Sequence, residues 1–279
     1  MLNWKEHMTE PHQYKNCIVA FLDILGFKEL VNTAECDEII NIFDSILTPQ
    51  EGDIALHRAT DDEAGADVNY NNALQNADIY VMSDSIVVAA EDIPEGLAVV
   101  VDICDVIQEQ LFDQDSPVFV RGAISHGDFY CGGLRGLGGS SVPEESSSNL
   151  RDSGGSIAFG KGLVEAYLAQ ENYAIYPRII LTEDITDGRI YSLDDNKWAV
   201  DRKDGYYYID TYERYFGKLE ADENNEITNE KYKRLKEYAH SYIRTYSDPR
   251  VREKYLWVER KLEEMRRDVL LEKGILMEM

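Results

Sequence analysis

Apolar and polar positions along the chain fall into segments with distinct periods. Cys17 to Leu22 is an unbroken apolar run containing Val19 and Phe21, the pattern of a buried strand. From Phe27 the spacing changes, and Phe27, Leu30, Val31, Ile39, Ile40 and Ile42 suit an amphipathic helix. Residues 79 to 90, IYVMSDSIVVAA, read as two β-forming runs joined at a Ser-Asp-Ser step, a hairpin with a carboxylate at its tip. Leu97, Val100, Val101, Ile103, Cys104, Ile107 and Leu111 carry helical periodicity over 93–112. Pro117 opens a strand from Val118 to Ser125, which His126-Gly127-Asp128 is expected to turn, with Phe129 and Tyr130 beginning a return. Strand, helix, hairpin, helix, strand is the ferredoxin-like split unit. It predicts an α+β fold, an antiparallel sheet with helices on one face.

The flanking segments are less regular. Residues 1–15 are a polar arm, and residues 48–76 are an acidic, Asn-rich surface excursion. Residues 131–155 form a long Gly/Ser-rich loop. Its GLRGLGG lacks the G-K-[ST] ending of a phosphate loop, although Arg135 and Arg151 within it offer cations. Residues 160–171 read as a helix, 178–181 as a buried strand, and 189–193, 197–200 and 206–209 as a small meander. From Asn229 two charged helices, 229–246 and 250–273, are broken at Ser247-Asp248-Pro249 and predict an αα-hairpin. Its stripes, Tyr232, Leu235, Tyr238, Ala239 and Tyr242 on one helix and Tyr255, Val258, Leu262, Met265, Val269 and Leu270 on the other, are packing surfaces for the domain or for a second copy. The expected division is an arm at 1–15, a domain at 16–222 and a helical hairpin at 223–279.

Charge narrows the function classes. The 279 residues include 53 acidic and 28 basic ones, a formal net charge of −25, which repels nucleic-acid backbones and anionic lipid. A hydrophobic content of 44% supports a substantial core. Cys17, Cys36, Cys104 and Cys131 show no C-x-x-C spacing, which fits a reducing cytoplasm. The N-terminal MLNWKEHMTEPHQYKN has no signal-peptide stretch, and no apolar run approaches the ~18 residues of a membrane span, so a soluble, cytoplasmic protein is expected.

Two acidic residues stand out against this pattern. Asp23 interrupts the first strand at its end, ahead of Ile24, Leu25, Gly26 and the helix start at Phe27. An aspartate there is either an N-cap or a cation ligand, and the turn's N–H groups can hold a phosphate. Asp84, at the hairpin tip, has no place in a core.

FLDILGF around Asp23 and MSDSIVV around Asp84 resemble the two metal-binding aspartate motifs of the class III nucleotidyl cyclases. RGAISHG at 121–127 and FGKGLVEAYLAQE at 159–171 resemble the strand and helix that follow in that family, so the likeness runs in order over residues 16–211. It implies two Mg²⁺ or Mn²⁺ ions at Asp23, Ile24 and Asp84, a phosphate-cradling turn over Ile24, Leu25, Gly26 and Phe27, and a homodimer that binds a nucleoside triphosphate. It places base-reading residues at Tyr80 and Ile157, and Lys203 in DRKDGYYYID resembles the family's late lysine. The departures matter as much as the matches. Tyr80 and Ile157 lack the purine-reading groups, and Val164 and Leu168 stand where the family places Asn and Arg, leaving Arg121 as a substitute cation. In these features the chain resembles the pyrimidine cyclases of bacterial Pycsar antiphage systems, which implies conversion of UTP or CTP to a cyclic monophosphate. The alternative is a cyclase-like nucleotide-binding or scaffold domain without turnover.

Overall fold

The computed structural model describes residues 13–47, 67–133, 156–190, 193 and 197–275. The first apolar run becomes the central strand β1 (Lys15–Leu25), paired antiparallel with β3 (Ser85–Glu91) on one side and β4 (Phe119–Gly133) on the other. β2 (Asp78–Met82) joins β3 through Ser83 and Asp84, giving the order β2-β3-β1-β4 of the split unit. The sheet continues through β6 (Ile179–Leu181), β8 (Tyr207–Ile209) and β7 (Trp198–Val200), while β5 (Ser156–Phe159) pairs with the far end of β4.

The fold is α+β as expected, with two corrections. β6 runs parallel to β4, so the sheet is mixed rather than wholly antiparallel. Helices also cover both faces, not one. Ile18, Ala20, Leu22, Ile86 and Val88 face α2 (Cys36–Leu47), α3 (Asp67–Gln75) and α4 (Pro94–Phe112). The alternate residues Val19, Phe21, Val87 and Ala89 face α5 (Lys161–Tyr173). Farther along that second face, Phe119, Ala123, Ile180 and Tyr208 meet α8 (Glu230–Thr245) and α9 (Pro249–Glu272). A strand buried on both sides needs no polar alternation, which explains the continuous Cys17–Leu22 run.

Local departures have identifiable causes. The helix expected from Phe27 breaks where Ala34 is extended, into α1 (Phe27–Thr33) and α2, and Val31 and Ile40 end up exposed. His126-Gly127-Asp128 does not turn: β4 passes straight through it. Gly127 serves a different purpose, since a Cβ there would stand 3.0 Å from the Gly162 nitrogen. One on Gly160 would lie 2.2 Å from the Asp128 carbonyl oxygen. The two glycines let α5 start in backbone contact with β4, and the Ser125 hydroxyl donates to the Gly162 carbonyl at 2.7 Å. Residues 67–75 of the expected excursion are helical, whereas 48–66 lie outside the described residues. Arg189 and Ile190 form a turn after α6 (Glu183–Thr186), not a strand, and Arg189 donates to Asp92 at 3.0 and 2.9 Å.

The C-terminal hairpin lies within a residue or so of its expected bounds, fixed by the Asn229 and Asp248 caps and Pro249. Its stripes are spent within the chain: Tyr232, Leu235, Ala239, Tyr255, Val258, Leu262 and Leu270 are buried with Phe119 and Ala123 of the sheet. Cys17 and Cys104 are buried, and no helix among the described residues is long and apolar enough to cross a membrane. α4 is buried nearly all round and carries two aspartates inward. Asp102 accepts from Tyr70 and Lys197 at 2.7 Å each, while Asp105 is held by Arg214 and by Thr211 at 2.6 Å, the latter opening α7 (Thr211–Phe216).

Candidate active site

Asp23 stands near the end of β1, directly opposite Ser85 on β3 and Arg121 on β4. Directly opposed residues of an antiparallel pair present their side chains on one face. Phe21, Val87, Tyr80 and Ala123 continue that face two residues back. Arg121 Nε donates to Asp23 Oδ2 at 2.8 Å, with side chains 24% and 21% exposed. The hairpin tip closes on the same strand end. Ser83 turns the chain with a φ of 60°, and the Ile24 N–H donates to the Asp84 carbonyl at 2.8 Å. The N–H and C=O of one strand residue point to the same side, so the Ile24 carbonyl also faces the tip.

The structure thus gathers Asp23, Ile24, Asp84 and Arg121 at one place. Asp23, Asp84 and the Ile24 carbonyl offer oxygen atoms there, the ligand type a hard divalent ion prefers. Among the described residues no group of three or more His, Cys, Asp or Glu is clustered. Gly26 turns β1 into α1 at φ 79°, and its carbonyl accepts from Glu29 and Leu30 at 2.9 and 3.0 Å. The Leu25 side chain packs against the C-terminal hairpin's cluster and Phe27 against Phe43, 5.8 Å between rings, so these two residues face a ligand only through their backbone.

The remaining predicted residues fall at varied distances from this point. Tyr80 is half-buried, its hydroxyl against the Cys131 thiol, in a cluster with Ala158 and Leu163. Ala158 pairs with Cys131, and Ile157 pairs with Gly132 one step on. Side chains alternate along β5, so Ala158, not Ile157, stands beside Tyr80. Spacing from Gly160 alone could not distinguish the two, whereas the β4–β5 register does. Val164 and Leu168 point outward from α5, 52% and 42% exposed, and Tyr167 sets its ring edge-on to Phe21 at 5.3 Å.

Lys203 lies elsewhere. In the turn between β7 and β8 it meets the Tyr176 hydroxyl and Glu253. From β1 to β8 the sheet takes three strand steps, roughly 14 Å. Lys203 helps line a cavity of about 790 Å³ with Arg202, Trp257, Arg260 and Lys261, and neither Asp23 nor Asp84 lines that cavity. Arg135 and Arg151 are outside the described residues.

No protein-family model and no curated protein matches the chain. Among solved structures it is similar to the monomeric guanylyl cyclase domain of the RhoGC fusion protein from the aquatic fungus Blastocladiella emersonii, at 14% identity over 72% of this chain and 98% of that one, with a TM-score of 0.42. It is similar to the guanylyl cyclase Cya2 at 11% identity over 71% and 92% of the two chains, TM-score 0.39. A bacterial light-regulated adenylyl cyclase matches at 13% identity over 73% of this chain and 53% of that one, TM-score 0.42.

Proposed function

We propose that this chain is a nucleotide cyclase acting on a pyrimidine triphosphate, UTP or CTP, and that its product is a signal in antiphage defence. The observation that carries the reading is the convergence of two carboxylate-bearing strand ends beside an arginine: Arg121 on Asp23 at 2.8 Å, and Ile24 on the Asp84 backbone at 2.8 Å. In the reaction the ribose 3′ oxygen bonds to the α-phosphorus, the bond from that phosphorus to the bridging oxygen breaks, pyrophosphate leaves with the electron pair, and the hydroxyl proton passes to water. Asp23, Asp84 and the Ile24 carbonyl would hold two Mg²⁺ or Mn²⁺ ions. Such ions lower the pKa of an attacking hydroxyl and offset charge on the leaving group. Arg121, held on Asp23, would lend its positive charge to the phosphate side of the site. The antiphage role is drawn from the resemblance to the Pycsar enzymes.

Tyr80 supplies the preference for the smaller base. Its ring occupies the face two strands from Phe21, and its hydroxyl is engaged by Cys131, which keeps the ring in place. A purine would lose a hydrogen-bonding partner, and one unmatched polar edge costs about 1–3 kcal/mol. The expected ratio of kcat/KM for UTP or CTP over ATP and GTP is therefore roughly tenfold or more with Mn²⁺. Tyr80→Ala should narrow it. Equal or better use of a purine by the parent would sink the pyrimidine reading.

The active form is a homodimer. α5 covers the Asp23 face with one side and exposes Val164, Tyr167 and Leu168 on the other, while nearby Tyr173 and Ile175 are also exposed. With the hairpin stripes buried internally, the α5 surface replaces them as the contact for a second copy. Lys203 could serve an active site only from the partner, given its distance from its own Asp23. Sedimentation should show a dimer that Val164→Glu with Leu168→Glu dissociates, with activity lost in step. A fully active monomer would remove the idea.

One observation favours a second reading, a nucleotide-binding domain without turnover: Arg121 already occupies an oxygen of Asp23. The same nucleotide panel separates the two, since binding without pyrophosphate release is the result this reading requires.

A further inference from the structure

The C-terminal hairpin does more than cover the sheet. Tyr255 of α9 packs its ring on Phe119 at 5.6 Å, and Phe119 is the residue opposite Leu25, one step along the same face from the Asp23–Arg121 pair. Leu25 itself packs in the cluster that holds Val251, Tyr246 and Tyr255. The first turns of α9 therefore lie against the strand ends that carry the site. Lys254 falls in this packed stripe, three residues after Val251 and four before Val258. A lysine in an inward stripe normally finds a carboxylate, yet among the described residues Lys254 has no hydrogen bond or ion pair, although Arg121, Asp23 and Asp248 are all within electrostatic reach.

We propose that Lys254 is a polyphosphate-binding cation of the Asp23 site, delivered by the C-terminal hairpin of the same chain. The inference rests on the cyclase reading and deepens it, because it names a cation to stand in for the arginine that the resembled family places where Leu168 stands on α5. Val164 and Leu168 offer no charge there, and Arg121 is engaged with Asp23. A triphosphate bound over Asp23 and Asp84 brings up to four negative charges to a chain already at −25, so its affinity depends on local cations. Lys254 is half-buried, where a charge is screened less than on the surface. Burial and the neighbouring Arg121 charge hold its ammonium below the usual lysine range, with Asp23 and then Asp248 acting in the opposite direction. An arriving phosphate gives this group the partner it lacks.

The test uses the full chain and two probes, inorganic tripolyphosphate and UTP or CTP, each with Mn²⁺. Lys254→Met should weaken tripolyphosphate binding by calorimetry roughly 10- to 100-fold and raise KM by a similar factor. Lys254→Arg should recover most of both. In the parent, where no variant has to fold, bound Mn²⁺–tripolyphosphate should protect Lys254 from acetic anhydride, read by mass spectrometry. Unchanged acetylation in the presence of the probe, or parent-like binding and KM in Lys254→Met, would overturn the role of Lys254 and leave the cyclase reading standing. A parent that neither binds the probes nor releases pyrophosphate would overturn the cyclase reading itself, and this inference with it.

Discussion

Asp23→Ala is expected to lower cyclic-nucleotide production by about a thousandfold or more while the protein still folds. The two effects separate because Asp23 carries little of the fold. Its ion pair with Arg121 is partly exposed, and such pairs contribute about 0.2–1 kcal/mol. Losing that amount shifts the melting temperature of a chain this size by only a few degrees. The catalytic loss is larger because the same carboxylate would hold the ions that offset charge as pyrophosphate leaves, and a thousandfold corresponds to about 4 kcal/mol of transition-state stabilisation. Asp23→Asn preserves shape and removes charge, so it should fail nearly as completely. Product formation with Mn²⁺, beside thermal melts of parent and variants, checks both halves. Parent-level turnover in Asp23→Ala would show that the site lies elsewhere.

The segments that proved legible share a property: their role is decided by residues close in sequence. The Cys17–Leu22 strand, the hairpin around Ser83 and Asp84, and the capped helices from Asn229 and Pro249 all follow from local pattern. Asp23 and Asp84 could be singled out because each breaks an apolar run without belonging to a core. What could not be read is set by register or by contacts between distant segments. Gly127 looks like a turn residue in sequence. Its actual neighbour is Gly162, 35 positions away, and only that contact explains why a glycine sits in the middle of β4.

Ile157 illustrates the same point at the site. Counting back from Gly160 places it in the base pocket, but the pairing of Cys131 with Ala158 turns the small Ala158 toward Tyr80. In the proposed base pocket, Tyr80 and Cys131 would then be the residues that exclude a purine. The hairpin's location was equally hidden. Its stripes announced a packing surface without naming the partner, and the partner is Phe119 and Ala123, the strand that also carries Arg121.

The buried aspartates of α4 were the plainest signal left unread, since Asp102 and Asp105 interrupt an otherwise apolar stretch of helix. Asp105→Ala is expected to destabilise the chain by about 3–5 kcal/mol, because it leaves the largely buried Arg214 to its longer contact with Asp102 at 3.5 Å and strands the Thr211 hydroxyl. Set against a typical stability of about 5–15 kcal/mol, that is a loss of roughly 10 °C or more in melting temperature. Asp105→Asn, which can still accept from Thr211, should cost less and should change the pH dependence. Burial pushes the Asp105 carboxyl up to about 6, outweighing the Arg214 guanidinium, Thr211 and Lys197, while Asp102 adds to the rise. A carboxyl that holds its proton more tightly when folded contributes stability that is complete below its unfolded value near 4 and is lost as pH rises towards 6. The parent should therefore lose stability from this group between pH 4 and 6 and level off above, and Asp105→Asn should lack that decline. Denaturant unfolding of both proteins at pH 4, 6 and 8 measures it. Parallel pH profiles would show that Asp105 does not titrate in this window, and an Asp105→Ala protein as stable as the parent would show that the buried pair holds nothing together.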